Sequence, residues 1–361
     1  MTARTTGQVR IVGTGLLGAS IGHALVGLGV DVVLADASRS ALSLAIDYGA
    51  GRAASPDDAP GLVVVAVPPD ATADVVAAEL AAHPGAVVTD VASVKSSILL
   101  DLQAAGADLT RYVGSHPMAG RERGGAVSAR SDLFIGHPWV IAAPEEAVTA
   151  WRVVEDLALD LGAVPIRLDA LRHDQAVALV SHLPQLVASI LAKRLLTASD
   201  EAIALAGGGL RDTTRIAASD PALWVQILGA NAGAVVGLLE DYRADLDAAI
   251  QALADTSTPG ARRALAEIIA AGGAGVARIP GKHGTSKRYA SITVIVEDRP
   301  GELARLLTEI GNLGVNMEDL RLEHSPGIPV GLAEISVLPE AEAGLVADLT
   351  ARGWRIGGVG E

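Results

Sequence analysis

The stretch Val9-Arg10-Ile11-Val12-Gly13-Thr14-Gly15-Leu16-Leu17-Gly18 decides the fold of the first half of this 361-residue chain. Four strand-favouring residues run into G-x-G-x-x-G, and the apolar spacing after Gly18 is helical. Glycines at these positions allow a tight strand-to-helix turn and let the backbone approach a pyrophosphate at the positive end of the helix. The next predicted strand, Asp31 to Ala35, ends at Asp36, 18 residues beyond Gly18. A carboxylate there accepts hydrogen bonds from an adenosine ribose diol and repels a 2′-phosphate, which favours NAD over NADP. Ser38 and Arg39 follow directly and could host a phosphate, which leaves NADP open beside NAD.

Outward from this unit, Val-rich runs alternate with Ala/Leu-rich helical stretches as far as residue 170, the pattern of a parallel sheet covered on both faces. The predicted strands are Val9 to Val12, Asp31 to Ala35, Leu62 to Val67, Ala86 to Asp90, Tyr112 to Ser115 and Trp139 to Ala142. Residues 1–170 therefore read as a Rossmann-like NAD-binding domain. Residues 171–278 read as all-helical, with helices over Asp174 to Leu196, Asp200 to Leu205, Trp224 to Ala254 and Ala261 to Ala271. Several are apolar around most of their circumference, which calls for burial against a second copy and hence a homodimer. Pro184 should kink the first of them. Residues 279–288 are rich in Gly, Lys and Arg and read as a linker. Residues 289–361 spell β-α-β-β-α-β, an α+β domain.

Composition narrows the function further. Lys and Arg number 28 against 42 Asp and Glu, a net charge of −14, which argues against nucleic acid or anionic lipid as a partner. The absence of cysteine removes disulfides, thiolate nucleophiles and Cys-based metal sites. The N-terminus lacks the apolar run of a signal peptide, so a cytoplasmic enzyme is expected. The most membrane-like segment, Ala222 to Leu239, is interrupted by Gln226 and Asn231 and reads as a buried helix rather than a span.

Ligands of open α/β sheets sit beyond the carboxyl ends of the strands. The third strand ends at Val67-Pro68, and the fourth leads into Ser93, a candidate polar group at the nicotinamide that would serve equally as a helix N-cap. His116, in Ser115-His116-Pro117-Met118-Ala119-Gly120, follows the next strand on the same side. An imidazole is the usual base for removing a hydroxyl proton while hydride leaves the same carbon. Arg121, Glu122 and Arg123 follow in a flexible loop. The helical region supplies Ser181-His182-Leu183-Pro184 and a Gly-rich loop running into Leu210-Arg211-Asp212-Thr213-Thr214-Arg215. In an acidic protein such arginines suit a carboxylate clamp, or a loop brace with Asp212. No His/Asp/Glu cluster has metal-ligand spacing.

In this order, Gly13 to Gly18, Asp90 to Lys95, Ser115 to Gly120, Ser181 to Pro184 and Leu210 to Ile216 resemble prephenate dehydrogenase, the TyrA-type enzyme of tyrosine biosynthesis. The resemblance covers residues 8–285. The tail, with Glu297-Asp298-Arg299-Pro300-Gly301-Glu302-Leu303 at its first turn, resembles an ACT domain.

The resemblance implies oxidative decarboxylation of prephenate by NAD to 4-hydroxyphenylpyruvate. On that basis His116 accepts the C4 hydroxyl proton, Ser93 orients His116 and touches the same hydroxyl, and Arg215, braced by Asp212, binds a carboxylate. His182 places the side-chain end, while Glu122 and Trp224 line or gate the pocket. Coenzyme contacts would come from Gly13, Thr14, Gly15, Leu16, Leu17, Gly18, Asp36, Val67, Pro68 and Ser93. Gly301, Asn312 and Asn316 become candidate contacts for a tyrosine effector. Gln185 stands where the family often has a second histidine, which leaves arogenate as an alternative substrate. A rival of another class is a non-catalytic regulator sensing NAD and amino acids.

Overall fold

A computed structural model of the chain describes residues 3–120, 125–279, 289–324 and 329–360. The linker assigned to residues 279–288 lies, apart from Ile279, outside them. The chain divides into two compact units, residues 1–197 with 214–242, and residues 198–213 with 243–361.

The first unit is built on an eight-stranded sheet: β1 (Val9–Val12), β2 (Val32–Ala35), β3 (Arg52–Ala53), β4 (Leu62–Val65), β5 (Val87–Asp90), β6 (Tyr112–Pro117), β7 (Pro138–Ala142) and β8 (Val164–Arg167). Their spatial order is β3-β2-β1-β4-β5-β6-β7-β8. The central strands are buried on both faces, all four residues of β4 completely so, which is why they read as unbroken Val runs. The sheet is parallel from β3 to β6, and β7 then runs antiparallel to β6, pairing Val140 with His116. Between Pro117 and Pro138 the described chain forms only a single 3₁₀ turn, Ala126–Ser128, too short for the crossover a parallel return requires. β3 and β8 were not expected. One is two exposed residues long, and the other is an exposed edge strand containing Pro165, so neither carries the apolar signal of a buried strand.

The helix expected from Asp174 to Leu196 spans Ala170–Thr197. It widens into a π turn over Ala178–His182, just before Pro184. Pro184 has no N–H to give, and its ring presses on the carbonyl four residues back, so the local ladder opens as expected of the proline. This helix is long and apolar enough to cross a membrane by length and composition alone. Leu179, Val180 and Ile190 are more than half exposed on it. The helix read as continuous from Trp224 to Ala254 is instead two, Pro221–Ala230 and Ala232–Ala254, bent by 93° at Asn231.

Gly208–Thr214 is helical rather than a loop, and in the second unit Asp200–Ala204 and Ala261–Val276 are helices. β9 (Ala290–Glu297), β10 (Asp319–His324), β11 (Val330–Val337) and β12 (Arg355–Gly360) form an antiparallel sheet in the order β10-β11-β9-β12. Helices Glu302–Asn312 and Pro339–Ala351 complete the expected βαββαβ sequence and pack Leu306, Ile310, Leu345 and Leu349 onto it.

Candidate active site

Two adjoining cavities open in the first unit at the carboxyl ends of the strands. The larger, about 780 Å³, is lined by the first turn at Gly13 and Gly15, by Asp36, by Val67-Pro68 and, from the helical segment, by Ser219, Asp220 and Leu223. Gly13 has φ +98°, and a Cβ on it would meet the Ala66 carbonyl at 2.4 Å; a Cβ on Gly18 would meet the Gly13 carbonyl at 2.0 Å. A Cβ on Gly15 would meet nothing within 4 Å. Two glycines thus serve the protein's own packing, and the third leaves open space at the N-terminus of helix Leu16–Gly27, where a pyrophosphate is favoured. Asp36 caps this turn: its Oδ2 accepts from the Thr14 N–H (2.7 Å) and the Thr14 hydroxyl (2.8 Å). Its Oδ1 accepts from the Ser38 N–H at 2.8 Å. The carboxylate is held at the cavity wall, where a ribose diol would meet it.

The smaller cavity, about 250 Å³, is lined by His116, His182, Ser181, Trp224 and Ile227. Ser93, Ala119, Gly120 and Trp224 line both cavities, so they share a wall. His116 Nδ1 lies 2.9 Å from Nε2 of His173, whose Nδ1 lies 2.8 Å from Asp174 Oδ1. Asp174 also accepts the backbone N–H groups of Lys95 (2.9 Å) and Ser96 (2.8 Å). Beneath this chain the fully buried Lys95 ammonium pairs with Asp90, and Tyr112 donates to the same carboxylate at 2.8 Å. Burial, followed by the neighbouring His173, Lys95 and His182, pushes His116 well below the usual imidazole pKa, against the opposing pull of Asp174. Burial also lowers His182. Burial alone would raise Asp174, but the hydrogen bonds from His173 and Ser96 outweigh it and hold the acid below its ordinary value. A neutral imidazole at this position is a base at physiological pH.

Residues 21–166 match the family described as prephenate dehydrogenase, nucleotide-binding domain, and residues 169–268 match prephenate dehydrogenase, dimerization domain. The probable prephenate dehydrogenase NovF of Streptomyces niveus is 39% identical over 354 residues, 95% of this chain and 98% of that one. The chain belongs to the prephenate dehydrogenase family. Among solved structures, the Aquifex aeolicus prephenate dehydrogenase in complex with hydroxyphenyl propionate and NAD+ is 26% identical, with a TM-score of 0.66 over 74% of this chain and 98% of that one. The Synechocystis arogenate dehydrogenase is also 26% identical, with a TM-score of 0.61 over 74% and 99%.

This member of the family is thus an NAD-dependent oxidoreductase, and the open space at Gly15 with the fixed Asp36 carboxylate fits the coenzyme. The structure brings together His116, His182, Trp224 and Ser93 on one cavity, and Gly13, Gly15, Leu16, Leu17, Asp36, Val67 and Pro68 on the other. Trp224 stands edge-on to His182, ring centres 6.0 Å apart. Thr14 is buried beneath the turn and Gly18 packs behind it, so both shape the site from within the protein. His116 is held by its hydrogen bond with His173; Ser93 sits on the shared wall.

Arg215 is exposed in a 3₁₀ turn, Arg215–Ala217, and lines neither cavity; Asp212 is exposed on the preceding short helix. Glu122 lies outside the described residues. Gly301 and Asn312 stand at opposite ends of helix Glu302–Asn312, 11 residues and so roughly 16 Å apart, and cannot touch one tyrosine within one chain. His173, Asp174 and Asn231 escaped the sequence reading. The available signal was a His-Asp pair opening an otherwise apolar helix, and an Asn interrupting another.

Proposed function

We infer that the chain catalyses the oxidative decarboxylation of prephenate to 4-hydroxyphenylpyruvate. The observation that carries this is a neutral, anchored imidazole on a small cavity sharing a wall with the dinucleotide cavity. When bound, NAD+ supplies the hydride acceptor. His116 takes the C4 hydroxyl proton as the C4 hydride departs, and the electron pair of the ring–carboxylate bond flows into the ring as carbon dioxide leaves. Aromatisation drives the step, so the protein need supply mainly orientation, a base and charge placement.

Ser93 contacts the same hydroxyl, and His182 and Trp224 hold the side-chain end. Arg215 clamps a carboxylate; being exposed, it closes on the substrate rather than standing preformed. Arogenate is the second reading, favoured by Gln185 in place of a second histidine, with the likeness to the Synechocystis enzyme as support. Functional domains at 1–170, 171–278 and 289–361 fit this assignment, with a homodimer formed through the exposed apolar face of helix Ala170–Thr197. The same helix buries His173, Asp174, His182 and Gln185 in the protein, which suits a soluble cytoplasmic enzyme better than a span. The βαββαβ tail is read as an ACT-like sensor, with tyrosine held between copies by Gly301 of one and Asn312 and Asn316 of another.

Replacing His116 by Asn should lower kcat by about 10²-fold or more while NAD binding persists. Undiminished turnover would remove His116 from the mechanism.

A further inference from the structure

We propose that Asp174 fixes the tautomers of both cavity histidines, through His173 for His116 and through Asn231 for His182, so that one ring offers a lone pair and the other an N–H to the substrate. The inference rests on the functional reading above and deepens it.

The first arm starts from hydrogen-bond capacity. An ionised carboxylate only accepts, and Asp174 is surrounded by donors, the Lys95 and Ser96 amides among them. His173 must therefore donate from Nδ1, and in the neutral ring Nε2 is left as an acceptor. The group facing that acceptor at 2.9 Å is His116 Nδ1, which must carry the proton. His116 Nε2 is then the lone pair, the form a base requires. The imidazolium formed on proton transfer remains hydrogen-bonded toward Asp174 through a fully buried ring, the logic of a nucleophile-activating triad lengthened by one histidine.

The second arm leaves from the backbone of the same residue. Asn231 Nδ2 lies 2.8 Å from the Asp174 carbonyl, a pure acceptor, and this settles which end of the amide is nitrogen. The same nitrogen lies 3.2 Å from His182 Nδ1, so that ring nitrogen accepts and Nε2 carries the proton. His182 is thereby a donor, suited to a carbonyl or carboxylate oxygen and unsuited to proton abstraction. Two chemically identical side chains on one cavity acquire opposite duties, and the 93° break at Asn231 is what delivers the amide to this position.

His173, Asp174 and Asn231 are positioning residues, and the test separates tautomer control from packing. Long-range ¹H–¹⁵N spectra of the unaltered, histidine-labelled enzyme should show His116 protonated on Nδ1 and His182 on Nε2; the opposite tautomer at either ring overturns that arm. His173→Gln keeps an acceptor for His116 and should cost less than about 10-fold in kcat. His173→Leu should cost about 10²-fold with KM for prephenate changed less than about 3-fold. Equal losses in the two variants would mean packing alone and overturn the proposal. Asn231→Asp, which cannot donate to His182, should do the reverse and raise KM roughly tenfold with kcat little altered; an unchanged KM overturns the second arm. Prephenate turnover by the unaltered enzyme is measured first. Its absence counts against the functional reading, whereas the spectra bear on the tautomers in either case.

Discussion

Gly15 shows how a single missing methyl group serves a ligand rather than the fold. Its two motif partners are required by contacts inside the protein, whereas the space beside Gly15 is empty of protein atoms. Gly15→Val should therefore leave the melting temperature within about 2 °C and abolish detectable NAD binding, read by calorimetry; Gly18→Ala should instead lower stability, because backbone must move. Retained NAD affinity in the valine variant would contradict the placement of the pyrophosphate. At this scale the motif was fully legible, since each glycine's duty follows from chain geometry. The His173–Asp174 pair was not, because its meaning depends on β6 and the helix from Ala170 meeting, a contact between residues 57 positions apart that no local spacing encodes.

Elements with strong periodicity stood where the sequence placed them: β1, β4 and β5 follow the expected spans to within two residues, and the tail has the expected βαββαβ order. The departures have local causes. Asn231 caps helix Pro221–Ala230 instead of continuing it, because its amide is used by Asp174 and His182. The Gly-rich run from Gly207 is helical despite its composition, with Thr213 donating back to the Gly209 carbonyl at 2.8 Å. The 3₁₀ turn carrying Arg215 packs on helix Leu183–Arg194, and Ser219, four residues on, reaches the coenzyme cavity. This element is the rim on which a carboxylate clamp would close. Arg215→Ala should raise KM for prephenate by about tenfold or more at near-constant kcat; an unchanged KM would exclude the clamp.

For the molecule as a whole, the buried His182 and the half-buried His116 and His23 tie stability to pH. His116 and His182 bind protons less readily folded than unfolded, and His23 shares the sign. Their contribution is complete above the unfolded value of about 6.5 and is lost as pH falls below it, where the unfolded chain takes up more protons. The melting temperature should accordingly drop by a few degrees between pH 7 and pH 5, before most carboxylates titrate. A flat profile to pH 5 would contradict the burial of these rings.

The account depends most on the neutral imidazole of the smaller cavity, which adjoins the dinucleotide cavity, acting as the base for a substrate that loses hydride and carbon dioxide together. The direct measurement is simultaneous release of NADH and carbon dioxide from purified enzyme with NAD+ and prephenate, repeated with arogenate. One-to-one release with prephenate, lost in His116→Asn, is the predicted result. No NADH from either substrate would contradict the account.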